Sequence, residues 1–343
     1  FGDWSSDVCF SDLPGLIFFI GLYGLAAVLV LVRPWKRTLA VGAAASLVWV
    51  SLLTVFHPAG EEGLGVDILD VGQGTSIHVA LPNHEHLVID GGGFSGSEFD
   101  PGEAIVAPFL LSRGIRRIDV AALSHPQQDH VGGLAFLVER FRPKEIWTNG
   151  AVGRCRSYFD FLEAAQKPGV RRPALAELAR PAFRGGARIV ALWPRPDFLQ
   201  TQSHGETLAR LNDDSLVLKI QFGKYSFLFP GDIEAAGEAG LVADRASELR
   251  ADVLVAPHHG AKGTLSRAFL EAVAPGYIVF PVGRNNRFGF PARESLQAAR
   301  TAGAKILRTD IDGTVSFQTD GRRLRVRTFR QPSLVEASAE HLE

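Results

Sequence analysis

The run Ser124-His125-Pro126-Gln127-Gln128-Asp129-His130-Val131-Gly132-Gly133 constrains this chain more than any other feature. It places His, Asp and His at offsets of zero, four and five, followed by two glycines. Pro230-Gly231-Asp232 and Pro257-His258-His259-Gly260 come later, and each of the three runs follows an apolar stretch of strand length. Imidazoles and carboxylates at strand ends are the donor set of a metal hydrolase site, and they demand a fold that brings several strand ends together. One such run is weak evidence. Three in this order are strong.

The pattern around them alternates strands and helices. Strands are predicted over 66–71, 76–81 and 87–90, then over 119–124, where the first run begins. More follow over 187–193, 215–222, 225–229 and 253–256, the last ending at the histidine pair. Strands over 277–282 and 305–308 flank a helix over 292–302, and a hairpin over 315–318 and 323–328 turns at Asp320-Gly321. Helices are predicted over 105–113, 134–140 and 234–249, and loops over 167–185 and 195–213. Antiparallel neighbours first, with helices interspersed, predict an α/β architecture of two sheets packed face to face with helices outside.

The N-terminal part differs. Residues 1–13 fit nothing that follows and read as a spurious or non-native extension. Pro14–Val32 and Thr38–Phe56 are uncharged apolar runs, each close to the roughly 20 residues that cross a bilayer as a helix. The basic turn Arg33-Pro34-Trp35-Lys36-Arg37 between them predicts a transmembrane hairpin over 14–57 with its turn in the cytoplasm, which puts everything after His57 outside the cytoplasmic membrane. A Pro/Gly/Glu linker over 58–65 then leads to a domain over 66–330, and a flexible tail is expected over 331–343. The chain has no methionine and reads as part of a longer protein. A formal net charge of −1 argues against nucleic-acid binding by bulk positive charge, and two cysteines, Cys9 and Cys155, make no disulfide framework.

In chemical terms, His125 at a strand end offers an imidazole nitrogen to a first metal. Asp129 and His130 on a tight loop can turn to a second. Asp232 is the candidate bridge, and His258 or His259 completes the set. Two divalent ions can clamp the attacking and leaving oxygens of a phosphodiester, with metal-bound water as nucleophile. Asp129, His258 and His259 carry the catalytic expectation, since the second histidine of the pair can contact substrate oxygen. Gly132-Gly133 lets a helix begin beside the site, where its N-terminus favours phosphate. Asp90 closes a strand beside glycines and is read either as a turn former or as a support to the metal site. Lys262 is read as a phosphate contact or a plain surface lysine. Arg284, Asn285, Asn286 and Arg287, ahead of Phe288-Gly289-Phe290, are read as a solvated loop or a nucleic-acid contact.

Several runs together carry a family resemblance: Leu69-Asp70-Val71-Gly72-Gln73-Gly74, Asp90-Gly91-Gly92, Ser124–Gly133, Asn212-Asp213-Asp214-Ser215-Leu216-Val217-Leu218, Phe229-Pro230-Gly231-Asp232 and Pro257-His258-His259-Gly260. Residues 66–330 resemble a metallo-β-lactamase-fold domain, an αβ/βα sandwich, and more closely the C-terminal region of the ComEC family of DNA-uptake channels. The resemblance implies a membrane-tethered, metal-dependent nuclease that degrades the non-transported strand during natural transformation. Its partners would be DNA, the membrane, the rest of the channel and other competence uptake proteins. The chain departs from the family pattern at Gln127, where relatives carry Asp and where the amide is read as a weaker metal ligand, direct or through water, and in lacking a clear middle histidine, for which His204 in a loop is the candidate. Asn212 and Asp213 occupy the equivalent stretch and are read as lining the site. More oxygen and fewer nitrogen ligands favour manganese or magnesium, with zinc as the other option. The alternatives are a degenerate module that binds or guides DNA without cutting, and a phosphorylcholine esterase-like hydrolase of another phosphodiester.

Overall fold

A strand that is apolar on both faces must be covered on both sides, and the segments Val120–Leu123, Val253–Val255 and Tyr277–Phe280 are wholly apolar and wholly buried. The computed structural model describes residues 63–330 except 95, 97–98 and 197–207, together with 335–337. Strands β1 (Leu64–Ile68), β2 (Ile77–Ala80), β3 (His86–Ile89), β4 (Val120–Leu123) and β5 (Glu145–Thr148) enter a first sheet. The second sheet takes β6 (Ala182–Arg184), β7 (Ala187–Trp193), β8 (Val217–Phe222), β9 (Tyr225–Phe229), β10 (Val253–Val255), β11 (Tyr277–Phe280) and β12 (Lys305–Arg308). The chain then returns to the first with β13 (Val315–Thr319), β14 (Leu324–Thr328) and β15 (Val335–Ala337). The strand orders are β15-β14-β13-β1-β2-β3-β4-β5 and β12-β11-β10-β9-β8-β7-β6. Pairing is parallel from β3 to β5 and from β9 to β12, and antiparallel elsewhere.

Period-two alternation sorts the side chains into layers. On β9, Tyr225, Phe227 and Phe229 face the space between the sheets with Val66, Ile68, Val79 and Phe317. Leu228 points the other way, to the core under the helices Ala235–Arg245 and Arg267–Val273. On the far side, Leu110, Leu137, Phe141 and Phe161 cover the first sheet from the helices Ala107–Ser112, Leu134–Phe141 and Arg156–Ala165. The result is the expected helix–sheet–sheet–helix sandwich. It sets the C-terminal ends of β3, β4, β9 and β10 along one rim, where an open α/β sheet binds its ligands.

Some expectations need correction. The loop expected over 167–185 contains the short helix Leu175–Leu178 and β6, and the one over 195–213 ends in the helix Leu208–Asp213. In the tail, Val335–Ala337 pairs antiparallel with β14. The helix Arg156–Ala165 and β5 go unpredicted; β5 has only Ile146 and Trp147 as apolar residues, between the polar Glu145 and Thr148. The extension over 1–13, the membrane hairpin over 14–57, most of the linker and His204 lie outside the described residues. Among the described residues no helix is long and apolar enough to cross a membrane.

Phe227 is fully buried and meets Phe229 and Phe317 at ring centroid distances of 6.5 and 5.9 Å. Phe227→Ala is expected to cost about 3–5 kcal/mol of unfolding free energy, read as a lowered urea midpoint at unchanged slope.

Candidate metal centre

Tight turns after the strands aim the polar side chains inward. After β4 come Ser124 and His125, and Gln127 opens the short helix Gln128–Val131 that carries Asp129 and His130. Gly74 packs against this turn at a φ of 86°, where a Cβ would fall 1.8 Å from the Asp129 carbonyl oxygen. Gly133 is needed for close approach: a Cβ there would lie 2.4 Å from the Gly102 nitrogen and 2.5 Å from the Gly91 oxygen. The glycine pair therefore locks the motif onto the Asp90-Gly91-Gly92 loop. Asp232 follows β9, and His258 and His259 follow β10. Asp90, His258 and His259 have φ of 60°, 45° and 55°, a left-handed geometry that costs roughly 1–2 kcal/mol per non-glycine residue.

Asp129, His130, Asp232 and His259 converge, with one donor atom from each lying within 4.8 Å of all the others. His130 Nε2 is 3.0 Å from Asp232 Oδ1, and His259 Nε2 is 3.5 Å from both Asp232 Oδ2 and Asp129 Oδ2. The opposite ring nitrogens are committed. His130 Nδ1 donates to Asp90 Oδ2 at 2.7 Å, and His259 Nδ1 donates to the Pro281 carbonyl at 2.9 Å. Asp90 in turn accepts from the Ser124 amide and hydroxyl, each at 2.7 Å. Asp90 is thus a support to the site. The sequence offered no pointer to the Pro281 carbonyl, which is backbone, and Ser124 was visible only as the neighbour of His125.

The electrostatics match this layout. Burial opposes the charge on Asp232, but His130 and His259 hold it well below the usual carboxylate range. Burial likewise works against Asp129, but His259 and the nearby His130 together more than offset it, leaving the group at about 2. His130 is buried yet pushed well above an ordinary imidazole by Asp232 and Asp90, and His259 is raised by Asp232 and Asp129. His125 goes the other way, to about 3, through burial and the neighbouring His130.

Among the described residues, five buried atoms here make no hydrogen bond: Nε2 of His125, His130 and His259, Nδ1 of His258 and Oδ2 of Asp232. Leaving such atoms unpaired costs about 1–3 kcal/mol each, and a divalent cation held between His130, Asp232 and His259 satisfies three of them together. The donor set fits one ion, with two imidazoles and two carboxylates, each imidazole oriented by a partner on its other nitrogen.

The remaining expected residues are placed differently. His125 Nε2 and His258 Nε2 each lie 3.9 Å from Asp232 Oδ2, outside the four-residue cluster. The Gln127 amide donates to Asn212 Oδ1, and Asn212 Nδ2 donates to Glu234 Oε1 at 2.9 Å. Glu234, which the sequence reading missed, lies 3.1 Å from His258 Nδ1. Asp213 does not line the site. Its carboxylate accepts from the backbone amides of Glu234 and Gly237 and anchors the helix after Asp232. Lys262 is 81% exposed and pairs with Glu294 at 3.7 Å, away from the cluster.

A family model described as Metallo-beta-lactamase superfamily matches residues 69–283. The chain belongs to this superfamily. It is 30% identical over 324 residues to ComE operon protein 3 of Bacillus subtilis, covering 90% of this chain and 40% of that protein. It is 29% identical over 306 residues to Competence protein ComA of Neisseria gonorrhoeae, covering 87% and 38%. The chain thus spans well under half the length of these curated relatives. Among solved structures it is similar to the metallo-beta-lactamase fold protein YhfI of Bacillus subtilis, with 10% identity and a TM-score of 0.43 over 80% of this chain and 100% of that one.

Because Asp90 orients His130, Asp90→Asn is expected to weaken divalent-ion affinity 10- to 100-fold in calorimetric titration. Chelation is expected to lower the melting temperature of the wild type, and added ion to restore it in a concentration-dependent way.

Proposed function

We propose that the centre of Asp129, His130, Asp232 and His259 hydrolyses phosphodiester bonds in DNA. In this reading the chain is the nuclease part of a membrane DNA-uptake channel that removes the non-transported strand. The observation that carries the proposal is Asp232, a buried carboxylate ringed by imidazole nitrogens that lack hydrogen bonds. The competence proteins among the curated relatives supply the biological setting. The apolar runs within 14–57 would tether the domain to the bacterial inner membrane with the site on the outer side, beside the rest of the channel and other uptake proteins.

A divalent ion held there supplies Lewis-acid stabilisation of the phosphodiester and activates water. The protein's own contribution is orientation. Asp90 and the Pro281 carbonyl fix the two imidazole rings, and Asp129 and Asp232 give negative charge to hold the ion. His258 sits at the mouth of the site, 23% exposed, where it can meet a phosphate oxygen, with Glu234 beside its other nitrogen. A second ion, were one bound, would have His125, His258 and Asp232 to hold it and would be the weaker of the two, because position 127 offers an amide in place of a carboxylate and that amide is engaged by Asn212. Two imidazoles beside two carboxylates suit manganese or zinc better than magnesium, which prefers oxygen donors throughout.

That same engagement of Gln127 favours a second reading, a module that holds DNA without cutting it. One assay separates them. The full chain is incubated with end-labelled single- and double-stranded DNA and manganese, magnesium or zinc, beside Asp129→Ala and a chelator control. Cleavage that requires both metal and Asp129 is expected, with the variant at least about 100-fold slower. DNA binding by a folded, metal-loaded protein that cuts with no metal would establish the second reading. Intact DNA with cleavage of small phosphodiesters would indicate an esterase.

A further inference from the structure

A stack of aromatic rings leads from solvent to the candidate metal centre. Phe288 is 50% exposed. Its ring stacks on Phe290 at a centroid distance of 5.4 Å and an interplanar angle of 18°. Phe290 stacks on His259 at 6.2 Å and 22°, and meets His258 edge-on at 5.6 Å. The last ring of the stack therefore belongs to the cluster itself.

The loop that carries these rings is held in place. Asn286 Nδ2 donates to the carbonyls of Gly283 and Phe290 at 3.1 and 2.7 Å, and its Oδ1 accepts from the Phe290 amide at 2.9 Å. Its exposed rim is cationic. Arg284 and Arg287 are both exposed, and the Arg287 guanidinium lies 5.0 Å from the Phe288 ring centroid. A half-exposed phenylalanine on a braced loop offers a flat apolar face. Arginines beside it attract anions, and a cation-binding cluster stands at the far end. The ligand that matches all three carries flat π-systems at intervals along a chain of phosphodiesters.

We propose that Phe288 is a stacking platform for an unpaired nucleobase of a polynucleotide whose phosphate reaches the metal centre, so that the site selects single strands over duplex. The proposal rests on the nuclease reading for its choice of polymer. Bases inside a duplex have their faces covered by neighbours, whereas a single strand or frayed end can lay one on an exposed ring. Arg284 and Arg287 hold the backbone and add salt dependence without reading sequence. The polar loop, read from the sequence either as solvated or as a nucleic-acid contact, is thereby the outer part of the substrate path.

The test is fluorescence anisotropy of the full chain with a labelled 12-nucleotide single strand, under chelation so that nothing is cut. Phe288→Ala is expected to weaken binding roughly 5- to 150-fold, the range that one stacked base supplies, while Phe288→Trp retains it. The same strand without bases is expected to bind the wild type and Phe288→Ala alike, and duplex to bind more weakly than single strand. Equal binding of the intact strand by wild type and Phe288→Ala would overturn the proposal, as would equal binding of duplex and single strand. Cleavage is not read, so a protein that never cuts DNA can still pass or fail. Phe288 is partly exposed and outside the core, and a circular dichroism spectrum unchanged from wild type shows that the variant is folded.

Discussion

The confrontation of Asp232 with the Nε2 atoms of His130 and His259 is the constraint on which the rim of the sandwich depends. Asp232 is 1% exposed, and a buried carboxylate is costly unless positive charge or donors compensate it. Both imidazoles have already spent their Nδ1 protons, on Asp90 and on the Pro281 carbonyl. In the neutral rings, Nε2 therefore presents a lone pair to a carboxylate. Only a proton or a cation between them makes the arrangement favourable. Asp129 and His130 come from the first sheet, Asp232 and His259 from the second, so whatever neutralises the cluster also ties the two sheets together.

Much of the nearby structure maintains this contact. Asp90, His258 and His259 sit in left-handed backbone geometry, which persists where the surroundings over-determine it. Glu238, fully buried on the helix after Asp232, accepts from the amides of Leu265 and Ser266 at 2.6 and 2.8 Å. That bond links the loop after the histidine pair to the helix after Asp232. Asp213 secures the start of the same helix. These carboxylates touch no metal donor, yet they fix the distance between two segments that supply donors.

The layered fold was legible because its strands are strongly apolar and because three chemical runs mark strand ends. Within the site, Asp129, His130, Asp232 and His259 were legible by residue type and spacing. Roles that depend on partners were not. Asp213 looks the same in sequence whether it lines a site or caps a helix, and only the positions of the Glu234 and Gly237 amides decide it. Glu234 lies two residues from Asp232, but nothing local shows that it turns toward His258. Lys262 follows the histidine pair in sequence and points to Glu294 in space. The stacking of Phe288, Phe290 and His259 joins loops after two different strands, which no local period records.

The most direct measurement is anomalous diffraction at the manganese edge from crystals of the full chain grown with manganese, beside Asp232→Asn. The account predicts a peak enclosed by Asp129, His130, Asp232 and His259 in the wild type, and its loss or strong reduction in the variant. A well-ordered wild-type site with no peak, or with manganese bound elsewhere, would contradict it.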